Sequence, residues 1–153
     1  MTMVAPLSLD QALLIARTTL EEGSRRSCAP LCAVVLDCGA HPLVTLRSEQ
    51  ASIHRPEIAT GKAAGCLAMG FGGRELARRA QAMAQFFNAL SGVFPKGIIP
   101  VAGGLLIRDG QGVIVGAIGV SGDTSDNDEI CAIAGIQAAG LVPDTGAPIQ
   151  EQV

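Results

Sequence analysis

Two apolar runs joined by a tight polar turn, and followed at once by a helix start, constrain this chain more than anything else in it. They lie between Val101 and Leu141. Leu105–Leu106–Ile107 leads into Arg108–Asp109–Gly110–Gln111–Gly112, and a second run follows from Val113 to Val120. Asp-Gly between apolar runs is a hairpin signal, because glycine accepts the positive φ that tight turns demand. The second run does not alternate with polar residues, which suits a strand covered on both faces. Gly116 and Gly119 remove side chains from that strand and let something approach its backbone. Ser121–Gly122–Asp123–Thr124–Ser125 ends the strand. A helix is then predicted with Ser125 as its N-cap and Asp128 three residues on, its first turn carrying Asp126, Asp128 and Glu129 against the positive end of the helix dipole.

The rest of the chain repeats the same vocabulary. Ser8 with Gln11 three residues on predicts a capped helix carrying Leu9, Ala12, Leu13, Ala16 and Leu20 at helical spacing, ended by Gly23. Leu31 to Leu36 is a buried-strand run, Asp37 to Pro42 its turn, with His41 in it, and Leu43 to Leu46 the returning strand. A small-sided helix starts at His54–Arg55–Pro56–Glu57, with Pro at the first helical position. Its Gly61 and Gly65 suit close packing rather than a membrane dimer, since the segment is short and carries Lys62. After Gly70, Gly72 and Gly73, one helix is expected from Arg74 to Leu90, with Leu76, Ala80, Met83, Phe87 and Leu90 on a single stripe. Gly92 to Pro100 is a loop. Paired hairpins between helices indicate an α/β chain of the α+β kind, an antiparallel sheet of about five strands flanked by helices. At 153 residues, one domain is expected over residues 1–142, with a loosely held tail over 143–153.

Composition narrows the function. Net charge is −3, aromatics are 3%, and no basic stripe with stacking residues is present, which argues against nucleic-acid binding. No apolar run reaches about 18 residues, so a membrane span is not expected. Met1 to Pro6 is too short for a secretory signal, and the chain reads as cytoplasmic. A hydrophobic fraction of 48% suggests that some apolar surface is covered by a homo-oligomer, a dimer or larger. The five cysteines include no CxxC pair and read as free thiols.

Three motifs could carry chemistry. Gly116, Gly119 and Gly122 before a helix suggest a phosphate cradle, but the spacing is not that of a dinucleotide fingerprint, no GK[ST] follows, and Asp123, Asp126 and Asp128 would repel an anion. Asp123, Ser125, Asn127 and Glu129 alternate like the start of a calcium loop that lacks its glycine and its terminal glutamate. His54, Arg55 and Lys62 are polar residues grouped at the start of the small-sided helix. Arg55 and Lys62, seven apart, fall near one helical face, where they could receive a carboxylate. His54 could ligate a metal or move a proton.

The sequence resembles the GlcG/HbpS-like haem-binding family, whose domain also forms the C-terminus of PduO-type corrinoid adenosyltransferases. The resemblance rests on Gly103–Gly104 through Gly122–Asp123, with Asp128 and Ala134–Gly135 beyond. It extends to the opening helix from Leu7 to Ala16, the hairpin turn between Val34 and His41, and the helix from Ile58 to Lys62. It spans about residues 7 to 142. Ala40 stands where the family usually has Gly, Pro42 follows the turn, and His54–Arg55 replaces other residues. The resemblance implies a profilin-like antiparallel sheet, assembly into dimers or rings, and binding of haem or a related small ligand. On that reading His54 ligates the iron, Arg55 and Lys62 receive the propionates, and the strand containing Gly116 and Gly119, with Asp123 at its end, borders an apolar pocket for the ring. Two other functions fit the residues. One is an enzyme that binds a small organic acid through Arg55 and Lys62, with His54 as its acid or base. The other is a non-catalytic accessory or assembly subunit.

Overall fold

In a computed structural model, residues 5–148 are described. Helix α1 (Leu9–Arg25) leads into the hairpin β1 (Cys32–Asp37) and β2 (Pro42–Arg47). Three helices follow, α2 (Arg55–Met69), α3 (Gly73–Ala82) and α4 (Ala84–Leu90). The second hairpin is β3 (Gly104–Arg108) and β4 (Ile114–Ser121), and α5 (Ser125–Ala138) and β5 (Val142–Asp144) close the chain. The five strands form one sheet in the order β2-β1-β4-β3-β5, and every neighbouring pair is antiparallel. This is the expected α+β architecture.

Helices cover both faces of the sheet, which is why its central strands do not alternate. Ala33 and Val35 of β1 belong to a core with Ile15 and Ala16 of α1 and Ile136 of α5. Cys32, Val34 and Leu36 of the same strand face the other way, into a core with Ala59 and Ala63 of α2, Leu76 of α3 and Phe87 of α4. Adjacent residues thus bury their side chains on opposite faces.

Both hairpin turns are held by an aspartate. The Asp37 carboxylate accepts from the Gly39 and His41 amides at 2.9 and 3.0 Å. The Asp109 carboxylate accepts from the Gln111 and Val113 amides, each at 2.9 Å. Local bonds of this kind hold the turn backbone. Ala40 has φ +63°, a left-handed conformation that glycine adopts more readily. At α1 the capping box forms as predicted: the Gln11 amide donates to Ser8 Oγ at 3.1 Å, and the Ser8 amide donates to Gln11 Oε1 at 3.0 Å. Ser8→Ala should lower stability by about 1 kcal/mol. Urea unfolding measures this, and a loss below about 0.3 kcal/mol would remove the cap from the account.

Three local expectations are corrected. The helix expected over 74–90 is two helices, broken at Met83, where φ is −135° and ψ 59°. The break leaves Met83 exposed and brings Phe87 and Leu90 into the core. The N-cap of α5 is Thr124, not Ser125; its side chain accepts from the Asn127 amide at 3.2 Å. Asp128 does not complete a capping box but turns inward to Lys62. The sheet's edge strand is β5: Val142, Pro143 and Asp144 pair with Arg108, Ile107 and Leu106. Arg108 Nε donates to Asp144 Oδ2 at 2.9 Å across that pairing. Residues 149–153 of the tail lie outside the described residues. Among the described residues, no helix is long and apolar enough to cross a membrane.

Candidate functional site

Gly119 of β4 receives α2, and Gly116 faces β1 and the segment before α1. A Cβ on Gly119 would stand 1.8 Å from the Ala59 carbonyl oxygen. A Cβ on Gly116 would stand 2.4 Å from the Leu36 carbonyl oxygen and 3.1 Å from the Leu7 side chain. The close approach read from these glycines is made by the chain's own backbone. Asp123 is likewise engaged: its carboxylate accepts from the Ala29 amide at 3.0 Å and the Thr124 amide at 2.7 Å. Those two amides hold its carboxyl below the usual carboxylate range.

The three polar residues at the start of α2 have different surroundings. His54 is exposed, and its Nδ1 lies 3.8 Å from Glu57. Arg55 donates to Ser52 Oγ at 3.1 Å and to Ser121 Oγ at 3.0 Å, tying the helix start to the end of β4. Lys62 is buried, and its ammonium donates to the Val120 carbonyl at 2.8 Å and to Asp128 at 3.0 Å. The carboxylate that Lys62 receives is therefore the chain's own Asp128, and this pair clamps α2 and β4 to α5. Burial raises the Asp128 carboxyl above its ordinary range, while Lys62 and the Asp123 amide pull against that rise.

Open space lies on the outer side of α2. A cavity of about 410 Å³ sits between α2, the first hairpin turn and the loop over 94–97. Its apolar wall is Ala64, Leu67, Ala68 and Phe94, and its polar edge carries Cys38, His41 and Lys96. A second cavity of about 350 Å³, lined by Pro56, Glu57 and Thr60, shares Pro95 and Lys96 with the first. Positions 57, 60, 64 and 68 repeat along one helical face, so the two spaces adjoin in a groove along α2. Lys96 donates to the Ala40 carbonyl, which ties the loop to the turn and leaves further N–H donors on the ammonium. The His41 ring packs over Gly39, where a Cβ would meet it at 3.0 Å.

The donor set is selective. Cys38 Sγ lies 3.1 Å from the Ile114 carbonyl oxygen, as donor to it. Burial and the nearby Asp37 push its thiol above the ordinary cysteine value, so it is protonated at neutral pH. His41 is the stronger ligand for a soft or borderline metal at this edge. The notable signals missed by sequence reasoning are Lys96 and Phe94, which lay in a loop with no motif. His41 was legible in the turn, where an exposed or backbone-bonded role outweighed that of a ligand.

An antiparallel sheet with helices on both faces carries an apolar groove edged by imidazole and ammonium, an α+β domain with room for a small ligand. The chain belongs to the family described as haem degrading protein HbpS-like, which matches residues 7–137. Among solved structures it is similar to HbpS, with 30% identity and a TM-score of 0.75 over 90% of this chain and 92% of that one. A PduOC:heme complex has the same fold, at 24% identity and TM-score 0.79, over 94% of this chain and 100% of that one. So has the Klebsiella pneumoniae protein ORFY, at 24% identity and TM-score 0.79, over 92% of this chain and 94% of that one. No curated protein matches the chain.

Proposed function

We propose that this protein binds haem in the groove along α2, with His41 as the iron ligand. The observation that carries the reading is the apolar cavity of about 410 Å³ with an imidazole and an ammonium at its edge. Haem asks for that combination: an apolar slot for the ring, a nitrogen donor for iron and cations for the propionates. The residues fit the group. Leu67 and Phe94 would give the ring an apolar wall, His41 would offer the donor, and Lys96 would offer a charge to a propionate. Bound haem would supply redox-active iron. Membership of a family described by haem degradation supports the ligand class. The His54 assignment is less favoured, because that ring stands exposed beside Glu57 rather than on the groove's wall. An organic-acid site shared by Arg55 and Lys62 is less favoured too, because Lys62 is held by Asp128. Cytoplasmic location and homo-oligomeric assembly belong to the same proposal, the latter supported by exposed Met83, Phe86 and Val93 around α4.

The test is a visible absorption titration with haemin of the protein, His41→Ala and His54→Ala. A Soret shift saturating near one haem per chain is expected for the protein and for His54→Ala. In His41→Ala, affinity should fall by about tenfold or more, at least the effect of losing a residue that only supports a ligand. Loss in His54→Ala alone would move the iron to the other end of α2, and non-saturating spectra in all three would remove haem.

A further inference from the structure

Two cysteines far apart in the chain meet at the end of α1. Gly23 is their common neighbour: its carbonyl accepts from the Cys28 amide at 2.9 Å, and a Cβ on it would stand 3.9 Å from Cys131 Sγ. Cys28 packs against the core in which Cys131 is fully buried. The two thiols form a hydrogen-bonded chain that ends on a carboxylate: Cys131 donates to Cys28, and Cys28 donates to Asp123. The Ala29 amide donates to the same carboxylate at 3.0 Å, which holds the loop carrying Cys28 against the start of α5.

Of the two thiols, Cys28 is the one that solvent reaches. A cavity of about 340 Å³ lies between the end of α1, the loop over 28–31 and the end of β2, and Cys28 lines it with Leu20, Gly23, Leu31 and Leu46. Cys28 is half-buried, whereas Cys131 has no exposure. A small oxidant in the cavity therefore meets Cys28 first, with Cys131 in contact behind it. Burial pushes the Cys28 thiol above the ordinary cysteine value and the Cys131 thiol up to about 12. Thiolate is then scarce at neutral pH, and the pair reacts slowly.

We propose that hydrogen peroxide converts Cys28 and Cys131 to an intramolecular disulfide, which staples the loop after α1 to α5. The Cys28 sulfur attacks one peroxide oxygen, the O–O bond breaks, and the departing hydroxide takes the thiol proton as water, leaving a sulfenic acid. The Cys131 sulfur then attacks Cys28 Sγ. The S–S bond forms as the S–O bond breaks, and the second hydroxide leaves with the Cys131 proton as water. Two thiols are oxidised and one peroxide is reduced. The bond closes a loop of about 100 residues, which restricts the unfolded chain and so stabilises the fold. The pair is separate from the groove along α2 and does not depend on haem.

Peroxide treatment of the full chain, followed by alkylation in denaturant and mass spectrometry without reductant, tests it. The expected product is a monomer with Cys28 and Cys131 joined, in which dithiothreitol restores both thiols. Its thermal unfolding midpoint should rise on oxidation and fall back on reduction. Cys28→Ser should abolish the link. Cys38→Ser, which removes the exposed thiol of the first hairpin turn, should leave it intact, and this keeps the test decisive if Cys28→Ser folds poorly. Both thiols still open to alkylation after excess peroxide, a bond between two chains, a link through Cys38 instead, or a midpoint unchanged by oxidation would each overturn the proposal.

Discussion

Gly119→Ala is expected to lose about 3 kcal/mol or more of folding stability, at or beyond the upper range for an overpacked core. The added methyl would stand 1.8 Å from the Ala59 carbonyl oxygen, 2.8 Å from its carbon and 3.0 Å from the Ala63 amide nitrogen. All three neighbours are backbone of α2, so no rotamer change makes room. The helix must move off the sheet, and with it Ala59 and Ala63 leave the core they share with Val34 and Leu36. Gly110→Ala is the matched control, since a Cβ there meets nothing within 4 Å, and its effect should stay within about 0.5 kcal/mol. Guanidinium unfolding of the two variants separates close packing from a general penalty for replacing glycine. Equal, small losses would mean that α2 is free to shift.

Lys62→Met should cost about 3–5 kcal/mol, because it strands the Asp128 carboxylate in the interior without its counter-charge. Lys62 and Asp128 have side-chain exposures of 5% and 1%, so water screens the pair little. Asp128 has a second duty, accepting from the Asp123 amide at 3.0 Å, so removing its side chain altogether would expose another cost. The informative partner is Lys62→Met with Asp128→Asn, which removes the charge and keeps an acceptor for that amide. The double variant should recover about 1 kcal/mol or more over Lys62→Met, the coupling expected of residues in contact. Thermal and chemical unfolding of the single and double variants measure it. If Lys62→Met were as stable as the parent and lost only haem affinity, Lys62 would be a ligand-binding residue and not a clamp.

Much of the fold was legible because its causes are local. Ser8 and Gln11 announce a capping box that closes within three residues. Asp37 and Asp109 announce turns that each organise within four residues. The unbroken apolar runs of β1 and β4 announced strands covered on both sides. Where two local solutions compete, local sequence does not choose between them. Thr124 and Ser125 can both cap, and the structure uses Thr124 while Asp128 turns to a lysine 66 positions away. An apolar stripe that continues through Met83 says nothing of the bend there, which depends on where the core lies for Phe87 and Leu90.

The candidate site was legible only in pieces. Polar residues at one helix start were read as a group, because sequence proximity is the one distance a sequence prints. Burial then divided them, exposing His54, bonding Arg55 to Ser121 and enclosing Lys62. The groove instead joins His41, Leu67 and Lys96, from a turn, a helix and a loop that are neighbours only because α2 lies flat on β4. By itself, then, the sequence determined the elements with local causes: caps, turns, two-sided strands, and the glycines that let a helix lie close. The tertiary structure decided which charges are partners and which residues border empty space, because both depend on contacts between distant segments that form only when the sheet and helices pack.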